Sequence, residues 1–232
     1  MIYVLSDIHG NERRFHSIMK QIELQPADTL YVLGDVIDRH PGGIRILRRI
    51  MDMPNAKMIL GNHEYMMLRA LGQPYDDNWD DGRALEHWYR NGGKVTHDHL
   101  KHIRKPLRQK IVDYLRGLPL YFDIQINGTA YKLVHGAPVG EYDCDPIYIN
   151  AIHFAVWKRL DRNRTVEKDD TIVFGHTPTA YYQEKVPMEI WTGDHLIGID
   201  CGSGYPENGP EGKLGRLACL RLDDGKVFYS EE

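Results

Sequence analysis

Apolar runs and helical patterns alternate along the first third of the chain. Strand-like runs rich in Val, Ile, Leu and Tyr fall at 2–6, 29–33 and 57–60. Between them, apolar residues recur at helical spacing over 15–22 and 44–51, which predicts one amphipathic helix in each interval. This order of strand, helix, strand, helix and strand is typical of an α/β fold.

Strands dominate the second half of the chain. Its apolar runs lie at 119–126, 129–135, 171–174, 196–199, 214–222 and 226–229. Asn127-Gly128, between the first two runs, is a hairpin signal because both residues tolerate positive φ. The whole pattern predicts two sheets packed together, a central β-sandwich flanked by helices.

Two further helices are predicted, one just before the midpoint of the chain and one after it. One covers 106–116 and ends at a glycine. For the other, Asp145 followed by Pro146 suits an N-cap and a first-turn proline. Apolar residues at helical spacing would continue that helix as far as Leu160.

The composition is typical of a soluble protein with a well-packed core. The chain has 232 residues, of which 42% are hydrophobic and 27% are charged, so it can bury a core without disulfides. That length allows one large α/β domain or two small ones. Because no repeat or low-complexity linker interrupts the sequence, we expect a single domain over 1–232.

The net charge and the cysteines indicate which binding partners and which cellular compartment to expect. The net charge of −4 argues against nucleic acid as a partner, but not against an anionic phosphoryl substrate, since bound metals reverse the local field. The three cysteines form no CxxC pattern, which predicts reduced thiols and a cytoplasmic location. We expect no signal peptide and no membrane partner, because no apolar stretch reaches roughly 18 residues.

Five short motifs place metal-ligand side chains just after apolar runs. They are Ser6–Gly10 (SDIHG), Gly34–Arg39 (GDVIDR), Gly61–Glu64 (GNHE), His135–Ala137 (HGA) and Gly175–Thr177 (GHT). In α/β sheets, ligands collect at the carboxyl ends of the strands, so these loops are expected to converge. Their aspartates, asparagine and histidines suit two adjacent divalent metals, a common device for phosphate ester hydrolysis.

Each motif has a simpler reading when it is taken alone. Asp7 suits an ordinary turn, Asn62 suits a helix N-cap, and Asp38 with Arg39 suits a surface ion pair. A single histidine after a strand is more often structural than a ligand. Five such signals in one order favour the metal hypothesis over the separate readings.

The motifs also suggest roles around the metals. Asp35 is a candidate for a carboxylate that bridges two metals, and Asp38 is better placed behind it. The planar fork of Arg39 matches two phosphoryl oxygens. His63, next to Asn62, can serve as a proton donor.

The order of these motifs resembles the PPP family of metallophosphatases, within the calcineurin-like phosphoesterase superfamily. Trp88–Gly93 with Thr96, and Ile199–Gly202 leading to Gly212–Leu214, are similar to stretches of bacterial and phage lambda-type members. The resemblance implies the calcineurin-like metallophosphoesterase fold, a two-sheet β-sandwich flanked by helices.

The resemblance also implies a dinuclear metal centre. One implied ligand set is Asp7, His9 and Asp35, and the other is Asp35, Asn62, His135 and His176. Manganese is the expected metal, with iron or zinc as alternatives, since mixed Asp, Asn and His ligands suit all three.

A mechanism and two arginines come with the same resemblance. It implies direct attack on phosphorus by a metal-bridging hydroxide, without a phosphoenzyme. His63 would protonate the leaving group while Asp38 orients it. Arg39 would hold phosphoryl oxygens, and Arg159, in Trp157-Lys158-Arg159, matches the second arginine of the family.

Two departures from the family pattern stand out. His40 occupies the place of the usual glycine after Asp38-Arg39, and glycine is often required where the backbone has positive φ. We therefore expect either a shifted loop or an extra titrating group near the site. The loop 203–211 is longer than in lambda-type members, so substrate preference could differ.

The sequence therefore predicts a metal-dependent phosphomonoesterase. Its expected substrates are phosphoserine, phosphothreonine or phosphotyrosine in proteins or peptides, and small phosphate esters. The alternative enzyme is a symmetrical dinucleoside polyphosphate hydrolase, a relative that typically lacks the acid matching Asp38. A nuclease is disfavoured by the missing basic track, and a non-enzymatic metal-binding module of the same fold by the complete ligand set.

Overall fold

Two five-stranded sheets form the centre of the molecule in the computed structural model, which describes residues 1–73, 82–163, 170–206 and 214–231. The strands are β1 (Ile2–Leu5), β2 (Thr29–Val32), β3 (Ala56–Met58), β4 (Tyr121–Ile126), β5 (Thr129–Val134), β6 (Thr171–Phe174), β7 (Trp191–Gly193), β8 (Leu196–Gly198), β9 (Ala218–Arg221) and β10 (Val227–Tyr229). The helices are α1 (Glu12–Ile22), α2 (Gly43–Asp52), α3 (Asn62–Ala70), α4 (Ala84–Arg90), α5 (Lys94–Lys101), α6 (Lys105–Arg116) and α7 (Ala151–Trp157).

Each sheet mixes parallel and antiparallel strands. The first has the order β10-β9-β1-β2-β3, in which β1, β2 and β3 are parallel. The second has the order β4-β5-β6-β8-β7, in which β5, β6 and β8 are parallel. The parallel strands are neighbours in each sheet, so their carboxyl ends supply most of the loops at one edge.

Alternation along the strands separates the two faces of the first sheet. Val4 and Tyr31 pack against Leu133 and Val173 of the second sheet in a core between the sheets. Leu5 and its neighbours of the same parity face the helices instead. Because successive side chains of a strand point to opposite faces, the apolar runs cover both faces, and the predicted α/β sandwich is confirmed.

The predicted start of the helix at Asp145 is wrong. α7 begins at Ala151, and the Asn150 side chain caps it by accepting from the backbone N–H of His153 at 2.8 Å. Asp145 instead accepts from the N–H of Ile147 at 3.0 Å, a local turn that competes with a helix. Ile147 is 75% exposed, so the apolar pattern there does not mark a buried face.

A three-residue strand, β7, was not predicted. It pairs antiparallel with β8 at one edge of the second sheet, and three residues are too few to show periodicity. Within the described ranges, no helix combines the length and apolar character needed to cross a membrane.

Candidate metal centre

The side chains predicted as metal ligands meet at one edge of the sandwich. They follow β1 (Asp7 and His9), β2 (Asp35), β3 (Asn62), β5 (His135) and β6 (His176). All are buried except the half-buried His176. Contacts across the two sheets join them, so the expected convergence of the loops is present.

Tight left-handed turns carry the chain from the strand ends into this site. The backbone φ angle is 54° at Asp7, 53° at Asp35 and 62° at His176. His9, Asp38 and Arg39 also have positive φ. Such backbone is uncommon outside glycine, although Asp and His tolerate it better than most residues, and surrounding contacts must hold it in place.

His135, His176 and Asn62 direct three hydrogen-bond acceptors at one point. His135 Nδ1 donates to the Leu33 carbonyl at 2.6 Å, which leaves its Nε2 as an acceptor. His176 Nε2 donates to the Trp157 carbonyl at 3.1 Å, which leaves its Nδ1 as an acceptor. Both acceptor nitrogens lie close to Asn62 Oδ1, at 2.9 and 3.0 Å. Three converging lone pairs repel one another unless a cation lies between them, so this set fits a metal.

A second set of acceptors lies on the other side of Asp35. His9 Nδ1 donates to the Ile37 carbonyl at 3.2 Å, and its Nε2 lies 3.8 Å from Asp7 Oδ1 and 3.7 Å from Asp35 Oδ2. The other oxygen, Asp35 Oδ1, lies 3.4 Å from His135 Nε2. Asp35 therefore offers one oxygen to each set, and the residues fit two divalent cations that share its carboxylate.

Because these side chains are buried and close together, they shift one another's pKa values. Burial opposes ionisation of Asp35, but the nearby His135, His63 and His9 outweigh burial and hold the pKa of this carboxyl below its ordinary value. Burial, reinforced by the charge of His135, lowers the pKa of His176 to about 3. A neutral imidazole is the form that binds a metal.

His63 is held by Asp38 and lies beside the ligand set. Its Nδ1 donates to Asp38 Oδ2 at 2.7 Å, and its Nε2 lies 3.4 Å from Arg39 Nη2. Burial lowers the pKa of His63, but the carboxylates of Asp35 and Asp38 outweigh burial and raise it. His63 also lies close enough to His9 and Asp35 to join their ligand set. Its role as proton donor stays a prediction.

Trp88 and Thr96 complete the surroundings of Asp38. The indole N–H of Trp88 donates to the same Asp38 Oδ2 at 2.8 Å, and the backbone N–H of Asp38 donates to Thr96 Oγ1 at 3.0 Å. Asp38 and Trp88 are fully buried. The sequence reading noted Trp88 and Thr96 only as part of a family-like stretch, because nothing local connects them with a residue about fifty positions earlier.

Glu64 is the functional residue that the sequence reading missed. Its buried carboxylate accepts the backbone N–H groups of Asp35 at 2.8 Å, Val36 at 2.9 Å and Ile37 at 3.3 Å. Burial and the charge of Asp35 raise the pKa of Glu64 to about 7. Glu64 holds the turn that presents Asp35; the only signal in the sequence was an acid following Asn62-His63.

The two predicted arginines lie at the mouth of the site. Arg39 is exposed, and its backbone N–H donates to the Gly92 carbonyl at 3.1 Å. Arg159 is also exposed; its guanidinium lies 4.9 Å from the centre of the Tyr181 ring, and its charge contributes to lowering the pKa of His176. Phosphoryl binding by both arginines stays a prediction.

The two departures from the family pattern lie close to this mouth. His40 does not have positive φ, so histidine in the place of glycine costs no backbone strain; Asp38 and Arg39 take the left-handed conformations instead. Residues 203–206 of the long loop are described. The rest of the loop, within 207–213, lies outside the described residues, as do Gly212 and Lys213 of the resembling stretch.

Comparison with known proteins identifies the family of this chain. A family model described as calcineurin-like phosphoesterase matches residues 1–195. The chain is similar to a symmetrical bis(5'-nucleosyl)-tetraphosphatase of Aromatoleum aromaticum, with 26% identity over 148 residues, which are 62% of this chain and 47% of that protein. A protein of the same name from Paracidovorax citrulli is 24% identical over 192 residues, which are 82% of this chain and 62% of that protein.

Solved structures agree on the fold. A protein proposed to be a diadenosine tetraphosphatase matches with a TM-score of 0.60 and 17% identity, over 98% of this chain and 91% of that chain. At this identity the likeness concerns the fold alone. The chain spans about half to three fifths of the length of the two curated relatives, 47% and 62%.

Proposed function

The chain belongs to the calcineurin-like phosphoesterase family, and from this premise we propose that it is a metal-dependent hydrolase that cleaves symmetrical dinucleoside tetraphosphates. The convergence of acceptor atoms on either side of Asp35 is the observation that carries the two-metal hydrolase. The substrate class rests on the names of the two curated relatives. Phosphoproteins are the first substrate class expected from the sequence, and the names of these relatives favour the dinucleotide alternative instead.

The proposed reaction consumes one water molecule. A P–O bond forms between the water oxygen and one central phosphorus, the bridging P–O bond breaks, and two nucleoside diphosphates leave. When bound, divalent metals supply charge neutralisation and an activated water in such sites. The proposed ligands are Asp7, His9 and Asp35 for one metal, and Asp35, Asn62, His135 and His176 for the other.

The side chains of this protein bind and orient the substrate. Arg39 and Arg159 are proposed to hold phosphoryl oxygens, because bidentate guanidinium bonds match the phosphoryl group. Glu64 keeps Asp35 in position through three backbone N–H groups.

A phosphomonoesterase acting on phosphoproteins is the second candidate. The observation that favours it is the His63 ring held by Asp38 at 2.7 Å, with Asp38 in turn held by Trp88. An imidazolium fixed in this way suits a leaving group that needs a proton, such as the alkoxide of serine. A departing nucleoside diphosphate has an acidic phosphate oxygen and needs far less help.

One side-by-side assay separates these candidates. The purified protein, with manganese added and then with iron or zinc, is given diadenosine tetraphosphate, phosphoserine and phosphotyrosine peptides, and p-nitrophenyl phosphate. We expect the highest kcat/KM for diadenosine tetraphosphate, with ADP as the only nucleotide product. A higher kcat/KM for a phosphopeptide would give first place to the second candidate. Two bound metals without turnover of any substrate would identify the non-enzymatic module.

A further inference from the structure

A groove beside Arg39 lies outside the ligand set and has no role in the proposal above. It has a volume of about 700 Å³. Its lining residues are Arg39, His40, Arg90, Asn91, Gly92, Gly204, Tyr205 and Pro206. We infer that this Arg39 groove is the subsite for a nucleoside diphosphate, the half of the proposed substrate that contributes both a second phosphate and a base. This inference rests on the proposed substrate class.

The groove brings together the two departures from the family pattern. His40 lines it, and Tyr205 and Pro206 of the long loop form another part of its wall. His40 and Tyr205 are 165 positions apart in the chain, yet both line a space that is also lined by Arg39, the predicted phosphoryl-binding residue. Because both departures line the same groove, we infer that the groove contributes to the substrate preference of this protein.

The loop wall is anchored by buried contacts. Arg14, only 2% exposed, donates from Nη1 to the Ser203 carbonyl at 3.0 Å. Ser203 Oγ donates to the Ile8 carbonyl at 3.2 Å. The next residue, Gly204, passes so close to the site that a Cβ there would lie 2.7 Å from Arg39 Nη1. The loop is therefore anchored where it passes beside Arg39.

The ring of Tyr205 is also held in place. Its backbone N–H donates to the Gly202 carbonyl at 3.1 Å. The ring lies against Gly202, where an added Cβ would be 2.8 Å from Tyr205 Cδ2, and packs beside Met188. Tyr205 is nevertheless only half-buried, so part of the ring lines the groove. A fixed aromatic surface suits base stacking, because little freedom is lost on binding.

The lining also carries positive charge at Arg39 and Arg90. Gly92 binds the backbone of Arg39, and Arg90 at the end of α4 lies two residues before it. Arg90 pairs with Glu86 one turn earlier in α4, and both side chains are largely exposed, at 74% and 54%. Such an exposed pair is weak, so Arg90 can exchange it for a phosphate. No carboxylate belongs to the described lining of the groove.

The chemical types of these groups define the ligand. In this assignment Arg39 meets the phosphate nearest the metals, Arg90 meets the next phosphate, and Tyr205 meets the base. Orthophosphate reaches only the first of these. A phosphopeptide offers no second phosphate to Arg90, and two guanidinium groups without a carboxylate do not select a neutral peptide chain.

Inhibition by ADP, compared with orthophosphate, tests the inference without requiring dinucleotide turnover. Each compound is titrated as a competitive inhibitor of p-nitrophenyl phosphate hydrolysis, with manganese in excess over total phosphate. For the unaltered protein we expect ADP to have an inhibition constant at least tenfold below that of orthophosphate. Arg90→Ala and Tyr205→Ala should each reduce this ratio about fivefold or more, since stacking or a charged contact is lost.

Matched variants give the controls. Tyr205→Phe keeps the ring and should keep the ratio. Arg48→Ala, an exposed arginine of α2, and Tyr121→Ala, a 41% exposed tyrosine of β4, lie outside the groove and should leave the ratio within twofold. Unfolding temperatures within a few degrees of the parent protein establish that the variants are folded.

The outcomes separate this inference from the proposed function. A ratio near one in the unaltered protein, or a ratio that Arg90→Ala and Tyr205→Ala do not change, overturns the groove assignment even if diadenosine tetraphosphate is cleaved. A ratio that falls as expected in a protein that does not cleave diadenosine tetraphosphate supports the groove and removes the first candidate function.

Discussion

Asp38 receives two hydrogen bonds on a single oxygen, from His63 and from Trp88. One carboxylate oxygen therefore fixes both the ring orientation and the tautomer of His63, because Nδ1 must carry the proton and Nε2 faces the site. This arrangement suits the predicted role of His63 as a proton donor, which can be tested by changing the leaving group.

Loss of the proposed acid should depend on the leaving group. His63→Asn is expected to lower phosphoserine peptide hydrolysis by about 10²–10⁴-fold, as for a lost general acid, and p-nitrophenyl phosphate hydrolysis much less, because its phenolate leaves without a proton. Asp38→Asn should give a weaker version of the same pattern. The measurement is kcat/KM on both substrates at constant metal content. Equal losses on both would leave His63 only a positioning role.

The two arginines should contribute to transition-state binding. Arg39→Ala is expected to lower kcat/KM roughly 30- to 1000-fold. This corresponds to a loss of about 2–4 kcal/mol of transition-state stabilisation, as when a charged donor to a developing oxyanion is removed. Arg159→Ala should act in the same direction. Arg116→Ala, at the end of α6, is the control. An unchanged kcat/KM in Arg159→Ala would show that another residue is the second clamp.

Metal binding should depend on Asp35 above all other ligands, since its two oxygens face both sets. Asp35→Asn is expected to reduce the bound metal from two ions per chain to one or none and to abolish nearly all turnover. Asp38→Asn, which changes a neighbouring buried carboxylate outside the ligand sets, should keep two ions. Metal analysis of the purified variants is the measurement. Full metal content in Asp35→Asn contradicts the bridging assignment.

At the scale of elements, Glu64 joins the first turn of α3 to the turn after β2. Three backbone N–H groups of residues 35–37 depend on this one carboxylate. These contacts fix the turn relative to the helix. They hold the backbone of Asp35 in its left-handed conformation, which the residue would not favour on its own.

Glu64→Gln should loosen this connection. The amide NH₂ of glutamine would face a backbone N–H, leaving a buried donor unsatisfied, and the free energy of unfolding is expected to fall by about 1–3 kcal/mol. Urea denaturation measures the change. Glu12→Gln, which alters an exposed ion pair with Arg45, should change it by less than about 1 kcal/mol. Equal midpoints for Glu64→Gln and the unaltered protein would contradict a structural role for Glu64.

Sequence patterns locate elements better than they locate contacts. Strands such as β1 and β6 are predicted nearly to the residue, because alternation and apolar runs are local signals. The start of α7 is missed because Asp145 uses its side chain in a turn. The contact of Trp88 with Asp38 joins parts of the chain that only tertiary packing brings together, so motif spacing contains no trace of it.

At the scale of the whole molecule, both sheets contribute loops to the same edge. The ligands after β1, β2 and β3 come from one sheet, and those after β5 and β6 come from the other. A cation bound there links the two halves of the sandwich, so metal binding and global stability are coupled.

Removal of metal should therefore lower the unfolding temperature. A site filled at about a hundred times its dissociation constant adds about 2.7 kcal/mol, which corresponds to about 5–10 °C for a domain of roughly this size. Scanning calorimetry with manganese and then with excess EDTA measures the shift. In Asp35→Asn, EDTA should have a much smaller effect. An identical unfolding temperature under both conditions would show that no metal links the sheets.

The left-handed turns at Asp7, His9, Asp35, Asp38, Arg39 and His176 affect how a mutational scan of this protein is calibrated. The native residue and an alanine replacement both have a Cβ, so both carry a backbone penalty of up to about 1–2 kcal/mol there, whereas glycine carries none. In an abundance-based scan, a glycine variant would therefore combine loss of the side chain with relief of backbone strain, and would be more abundant than the alanine variant at the same position. For these six residues, alanine measures the loss of the side chain, and the difference between glycine and alanine measures the strain stored in the turn.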